Sequence, residues 1–235
     1  HTGTIVKWQS KTTGSWSDIA NTASSYTPTG LTQTTSYRVV VNSVGCGSDT
    51  STIVIITVNS SAVAGTITGT NAVCSGNSPG VLTLGGTTGT IQKWQSKTTG
   101  SWVDIVNTLS TYNPGALSTT TSYRAVVTSG SCVADTSAAF TVTVTPSSVG
   151  GTVSADQTIC SGGTVTALTL SGQTGTVEKW QSANNVSFTG ATDIPLTAGL
   201  TSYTPTGVVT TTFYRAVVKS GTCASANSSS AKITV

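Results

Sequence analysis

Few residues of this chain carry side chains able to do chemistry: five cysteines, one histidine and seven acidic residues among 235. Nucleophilic catalysis needs a base beside its nucleophile, and the one histidine, His1, occupies a place that holds Thr87 and Gln173 further along, which reads as a variable loop position. Three aspartates, Asp18, Asp104 and Asp193, recur before an isoleucine. Each is the only acid near its own strand, whereas paired-carboxylate catalysis needs two on one face. A local backbone hydrogen bond, or a pairing with Arg38, Arg124 and Arg215, is the expected role. Calcium ligation needs clustered oxygens, and Asp49, Asp135 and Asp156 stand alone. No residue is therefore expected to be catalytic, to bind a cofactor or to hold a metal.

The cysteines are more informative. Cys74 and Cys160 precede the tryptophans Trp94 and Trp180 by one and the same interval, and Cys46, Cys132 and Cys223 follow the tyrosines Tyr26, Tyr112 and Tyr203 by that interval again. Each whole copy of this pattern has one early and one late cysteine. The expected pairs are Cys74 with Cys132 and Cys160 with Cys223, although four cysteines admit three connectivities and spacing does not select among them. Closing the loop from Cys74 to Cys132 would add roughly 4 kcal/mol in chain-entropy terms. Cys46 is left over, because the period puts its early partner ahead of His1. The chain is thus expected to be a window on a longer polypeptide whose signals and anchors lie elsewhere. Disulfides in small domains point to an oxidising, extracellular compartment.

These residues sit in a repeat. Trp8, Trp94 and Trp180 are evenly spaced, within the strings Gly3 to Ser10, Gly89 to Ser96 and Gly175 to Ser182. Self-similarity at a fixed period divides the chain into residues 1–61, an incomplete copy without its opening strands, 62–147, a complete copy, and 148–235, a complete copy with an insertion. The stretch from Trp180 to Tyr203 is longer by five than that from Trp94 to Tyr112, so an insertion enters between Ala183 and Leu200, as a surface loop. Turn residues recur every eight to twelve positions or so and no helical period appears, which argues all-β.

In the second copy seven strands are expected, near 65–68, 81–84, 90–96, 102–105, 110–113, 122–128 and 138–145, enough for a two-sheet sandwich. Leu82 and Leu84 should point inward, as should Tyr123, Ala125 and Val127, with Arg124 on the other face. In the first copy the last strand should run from Thr52 to Val58. Short linkers, 58–65 and 144–151, predict sandwiches set end to end in an extended rod.

Charged residues make up 7% of the chain and the formal net charge is +3. There is no basic stripe, so no nucleic-acid partner is expected. The longest aliphatic run, Ile53 to Ile56, is far too short for a membrane span, so this segment is not expected to insert.

The strings Val73-Cys-Ser-Gly76 and Ile159-Cys-Ser-Gly162, then Leu82-Thr-Leu84 and Leu168-Thr-Leu170, then Lys-Trp-Gln-Ser and Tyr-Arg-Ala-Val-Val, together resemble the immunoglobulin-like repeats of giant surface proteins of the Bacteroidetes. The resemblance spans essentially the whole chain. It implies tandem immunoglobulin-like β-sandwiches in an extracellular adhesin or filament of the gliding-motility type, exported by the type IX system and touching surface polysaccharide or other cell-surface proteins. One departure is plain: in antibody domains the second cysteine closely follows the corner tyrosine, whereas here Ala125 takes that place and Cys132 lies well beyond Tyr123. The bond is therefore expected to tie the opening segment to the last strand or its turn.

Trp16, Trp102 and Phe188, one per copy beside a variable loop, are the candidate contact aromatics, either stacking on sugar rings or lidding the core. Two rival roles remain open: an accessory module of an extracellular polysaccharide-degrading enzyme, and a self-associating filament or sheath subunit, since uncharged strand edges invite pairing.

Overall fold

The computed structural model describes residues 3–235, so the loop reading of His1 falls outside the described residues. Among these, every regular element is a β-strand, and no helix is long and apolar enough to cross a membrane, which says nothing of a β-barrel. In the first copy β1 (Thr4–Lys11), β2 (Ser17–Ile19), β3 (Thr35–Ser43), β4 (Gly47–Thr50) and β5 (Val54–Ile56) form one five-stranded sheet in the order β2-β1-β3-β4, with β5 also on β3.

The second copy holds β6 (Thr66–Thr68), β7 (Ala72–Cys74), β8 (Leu82–Gly85), β9 (Thr90–Lys97), β10 (Val103–Ile105), β11 (Thr111–Tyr112), β12 (Thr121–Thr128), β13 (Asp135–Thr136) and β14 (Phe140–Thr145). They make a six-stranded sheet, β10-β9-β12-β14-β7 with β13 on β12, and a three-stranded one, β11-β8-β6. The third copy repeats this with β15 (Thr152–Val153), β16 (Gln157–Thr158), β17 (Leu168–Ser171), β18 (Thr176–Ala183), β19 (Thr192–Ile194), β20 (Ser202–Tyr203), β21 (Thr212–Lys219), β22 (Ala226–Asn227) and β23 (Ala231–Thr234), in sheets β16-β23-β21-β18-β19 and β15-β17-β20. These are tandem immunoglobulin-like β-sandwiches.

The chain clusters into two compact units. One gathers the residues up to Gly65 with Gly86–Gln92 and Val126–Thr136, and the other holds Thr66–Gly85, Lys93–Ala125 and Ser137–Val235. In the first unit the Ala64 N–H donates to the Asp135 carboxylate at 2.8 Å, and Val63 bridges Thr88.

The third copy shows how the core is built. Trp180 and Leu168 are fully buried between the sheets with Ile233 and Val218, and the Trp180 indole N–H donates to the Leu200 carbonyl at 2.9 Å. Tyr203 and Tyr214 continue the aromatic row at centroid spacings of 5.8 and 6.1 Å. Val177 and Trp180 are both buried although an odd number of positions apart, an impossible pair in a strictly alternating strand. The register slips between Val177 and Lys179, so a β-bulge at Glu178 turns both side chains inward. The same slip lies between Ile5 and Lys7. Both bulges follow a glycine of positive φ, Gly3 at 124° and Gly175 at 117°, and at Gly175 an added Cβ would run into the Lys219 carbonyl.

Leu82, Leu84, Tyr123, Ala125 and Val127 are buried, as their alternation requires. The strand count differs from the expected seven. β7 is very short and joins β14 as a parallel partner, a pairing with no local turn to announce it. The expected strand 138–145 starts only at Phe140, and a separate short strand, β13, lies ahead of it with Ser137 just past its end. The Ala125 N–H donates to Ser137 Oγ at 3.0 Å while the Ser137 N–H donates to the Ala125 carbonyl, so a side chain replaces one rung of the ladder. Ser51 does the same opposite Val39, which leaves β5 at Val54–Ile56 instead of 52–58. Ser228 does it opposite Ala216.

In the third copy the insertion does not enter at one place. Trp180 and its register partner Ile194 stand three positions further apart than Trp94 and Ile105, so the remainder enters after β19. That later part folds back onto β18, where the Trp180 N–H donates to Thr197 Oγ1 at 2.8 Å and the Gly199 N–H to the Val177 carbonyl. The first copy has one sheet among the described residues, and Trp8 is only half-buried beside an open cavity of about 280 Å3 lined by Ile5, Val39 and Val41.

Replacing Ser137 by alanine strands the buried Ala125 N–H. The expected loss is about 1–3 kcal/mol of stability, read as a lower denaturation midpoint at unchanged m-value.

Candidate functional site

Two arrangements recur through the copies: a polar row on the outer sheet face, and cysteines at the ends of the sandwich. The first is built at one register level. On β1 the residues Lys7, Gln9 and Lys11 point away from the core, with Gln9 directly between Asp18 of β2 and Arg38 of β3. Cross-strand neighbours at this distance must interact. Lys7 Nζ and Gln9 Nε2 both donate to Asp18 at 2.6 Å, and Arg38 Nε donates to Gln9 Oε1 at 2.8 Å. The Arg38 guanidinium then lies 4.2 Å from the Trp16 ring centre, a cation–π contact.

The second copy reproduces it with Lys93, Asp104, Gln95, Arg124 and Trp102 at 2.7, 2.7, 2.7 and 4.2 Å. The third uses Lys179, Asp193, Gln181, Arg215 and Phe188, again 4.2 Å from guanidinium to ring. These bonds hold each aspartate ionised. The Gln95 amide first, then the Lys93 ammonium, keep the Asp104 carboxyl below its ordinary 3.8, and for Asp193 Lys179 leads and Gln181 follows.

The aspartates thus reach the arginines through a glutamine, not directly. The rings of Trp16, Trp102 and Phe188 do not lid the core: they lie on the outer face, under the arginine of the row. The guanidinium covers one face of each ring, and Phe188 is only 7% exposed whereas Trp16 and Trp102 are half-buried. Sequence reasoning missed the glutamines and lysines that carry the row. Their signal was present in Lys-Trp-Gln, where alternate residues must share the face opposite the tryptophan. Among the described residues no group of three or more His, Cys, Asp or Glu is placed to hold a metal.

The cysteines correct the expected pairing. Cys74 is bonded to Cys223, with Cα atoms 4.9 Å apart, and Cys46, Cys132 and Cys160 are free. Strand direction explains why an early and a late cysteine of one copy do not meet. β16 runs parallel to β23, with Thr158 beside Thr234, and β23 runs antiparallel to β21, with Ile233 beside Thr212. Cys160 therefore lies past the Thr212 end of β21, while Cys223 follows its Lys219 end. The whole of β21 separates the two levels, about 26 Å at ~3.3 Å per residue, against the roughly 7 Å that a disulfide tolerates.

At the junction of the second and third copies the geometry is reversed. β7 pairs with the end of β14, Cys74 beside Thr145, and Thr145 Oγ1 lies 3.5 Å from Cys223 Sγ. The Ser220 N–H donates to Ser148 Oγ at 2.9 Å and the Val149 N–H to the Thr174 carbonyl at 3.1 Å, seating the linker on the third copy. The bond closes 149 residues, worth about 5 kcal/mol in chain-entropy terms.

A family described as Domain of unknown function (DUF8696) matches residues 1–60, 63–146 and 149–235. The chain belongs to this family. No characterised protein shows significant sequence similarity to this DUF8696 chain. Among solved structures, a crystal structure of consecutive titin domains is similar at 14% identity and a TM-score of 0.44, covering 98% of this chain and 88% of that one. The FN1-FN3 domains of chicken CNTN1 are similar at 14% identity and a TM-score of 0.34, with the same coverage.

Because its folded pKa is depressed, the Asp104 row contributes stability above the unfolded pKa and loses it as the pH falls through the folded value, below 3.8. NMR titration should find the Asp104 carboxyl below 3.8, and Gln95→Ala should move it upward; an unmoved midpoint would remove Gln95 as the leading cause. Thiol titration of residues 1–235 produced on their own, denatured and unreduced, should find three thiols, and Cys74→Ser should raise the count to four by releasing Cys223. A count of one would instead restore pairing within each copy.

Proposed function

We propose that this chain is a stalk segment of a large secreted cell-surface adhesin or filament, serving attachment or gliding by holding a contact surface at a distance, without catalysis of its own. The observation that carries this reading is the Cys74–Cys223 bond, which joins one copy of the sandwich to the next instead of stapling a single copy. Such a bond limits hinge motion between neighbours and lets a repeated domain transmit tension along the chain. An oxidised cysteine pair is consistent with an extracellular location, and the adhesin type and export by the type IX route are proposed on the resemblance of the repeated strings to those of giant surface proteins. The partners proposed are neighbouring copies of the repeat and, at the contact surface, polysaccharide or protein of another surface.

Antibodies raised against the second and third copies should label intact, unpermeabilised cells, and in-frame deletion of several copies should reduce attachment or gliding severalfold. Labelling only after permeabilisation, or full attachment after deletion, would end this reading.

A further inference from the structure

The free cysteines occupy the same places as the bonded ones. In all three copies the late cysteine sits in one turn: the N–H of Cys46 donates to the Ser43 carbonyl at 3.0 Å, that of Cys132 to Ser129 at 2.9 Å and that of Cys223 to Ser220 at 2.9 Å. The sulfur of Cys223 lies 3.8 Å from the Thr145 carbonyl, the end of the preceding copy's last strand. The sulfur of Cys132 lies 3.7 Å from the carbonyl of Asn59, which stands one full repeat before Thr145 and holds the same place in the first copy.

The early cysteines correspond as well. Ala72 pairs with Thr143 and Thr158 with Thr234, and each is followed two positions later by a cysteine, Cys74 and Cys160. Cys160 is exposed.

Resting on the proposed reading of this chain as a segment of a longer stalk, we infer that the Cys74–Cys223 bond is one rung of a series in which the late cysteine of each copy is bonded to the early cysteine of the copy on its N-terminal side. Cys132 and Cys46 take early cysteines of the copies that adjoin them on that side. Cys160 takes the late cysteine of an adjoining copy on the other. Each rung forms as two thiols lose two protons and two electrons to a dithiol–disulfide exchange partner. The thiolate of one cysteine attacks the partner's disulfide, the second displaces the partner's sulfur, and the partner leaves as a dithiol. Docking of consecutive copies supplies the proximity. The rungs stand whatever surface the protein contacts.

The test is to isolate the native full-length protein, block free thiols with N-ethylmaleimide under denaturing conditions, digest it unreduced and identify linked peptides by mass spectrometry. The expected result is a peptide containing Cys74 linked to one containing Cys223. Cys46, Cys132 and Cys160 should each be linked to a cysteine of a neighbouring copy and carry no maleimide. In the Cys223→Ser variant, maleimide should appear on Cys74 alone. Maleimide on Cys132 or Cys160 of the native protein, or a Cys132–Cys74 or Cys160–Cys223 link, would overturn the series. These outcomes read bonds only, so they leave the surface-labelling test of the stalk reading independent.

Discussion

Strand direction decides what this molecule does with its cysteines. In each whole copy a short opening strand runs parallel to the last strand and ends beside that strand's C-terminal end, which places the early cysteine at one end of the sandwich. The late cysteine sits in the turn after the long strand that runs the opposite way, so it lies at the other end. A covalent bond reaches only a few ångströms, and the length of a strand is several times that. Two cysteines of one domain are thereby kept apart, and Cys74 of the second copy meets Cys223 of the third. What reads in sequence as a staple for small sandwiches is, in three dimensions, a clasp between them.

Stability inside each sandwich has a different origin. With hydroxyls replacing charges over most of the surface, the fold relies on a dense aromatic row, tryptophan against tyrosine against tyrosine, at nearly constant spacing in all three copies. The bulge that seats this tryptophan also fixes the opposite face. Once Trp180 points inward, Lys179 and Gln181 must point outward, and the aspartate, arginine and aromatic partners fall into register around them. Core and outer row are two consequences of one backbone irregularity. The ion pairs are exposed and contribute modestly to stability; their geometric role is to keep the long arginine flat on its ring.

Much of this was legible in the residues. The fixed period, the all-β pattern, the inward alternation of Leu82 with Leu84 and of Tyr123 with Ala125 and Val127, and the outward Arg124 all follow from local chemistry and a period of two. The equivalence of Phe188 with Trp102 was legible too, and both rings meet an arginine at the same 4.2 Å. Strand limits were harder to read. Ser51, Ser137 and Ser228 look like ordinary strand residues until their hydroxyls are seen in place of a backbone group, and β7 leaves no mark because its partner β14 lies at the far end of the copy.

By itself, the amino-acid order determined the repeat, the class of fold and the number of cysteines per copy, because those depend on composition and on spacing along one strand. Tertiary structure alone decided which sulfur meets which, which way the tryptophan and its neighbours face, and that Trp16, Trp102 and Phe188 serve the outer row. The physical reason is the same in each case. These outcomes depend on the direction and register of strands far apart in the chain, and a spacing between residues carries no information about the end of the sheet at which each residue arrives.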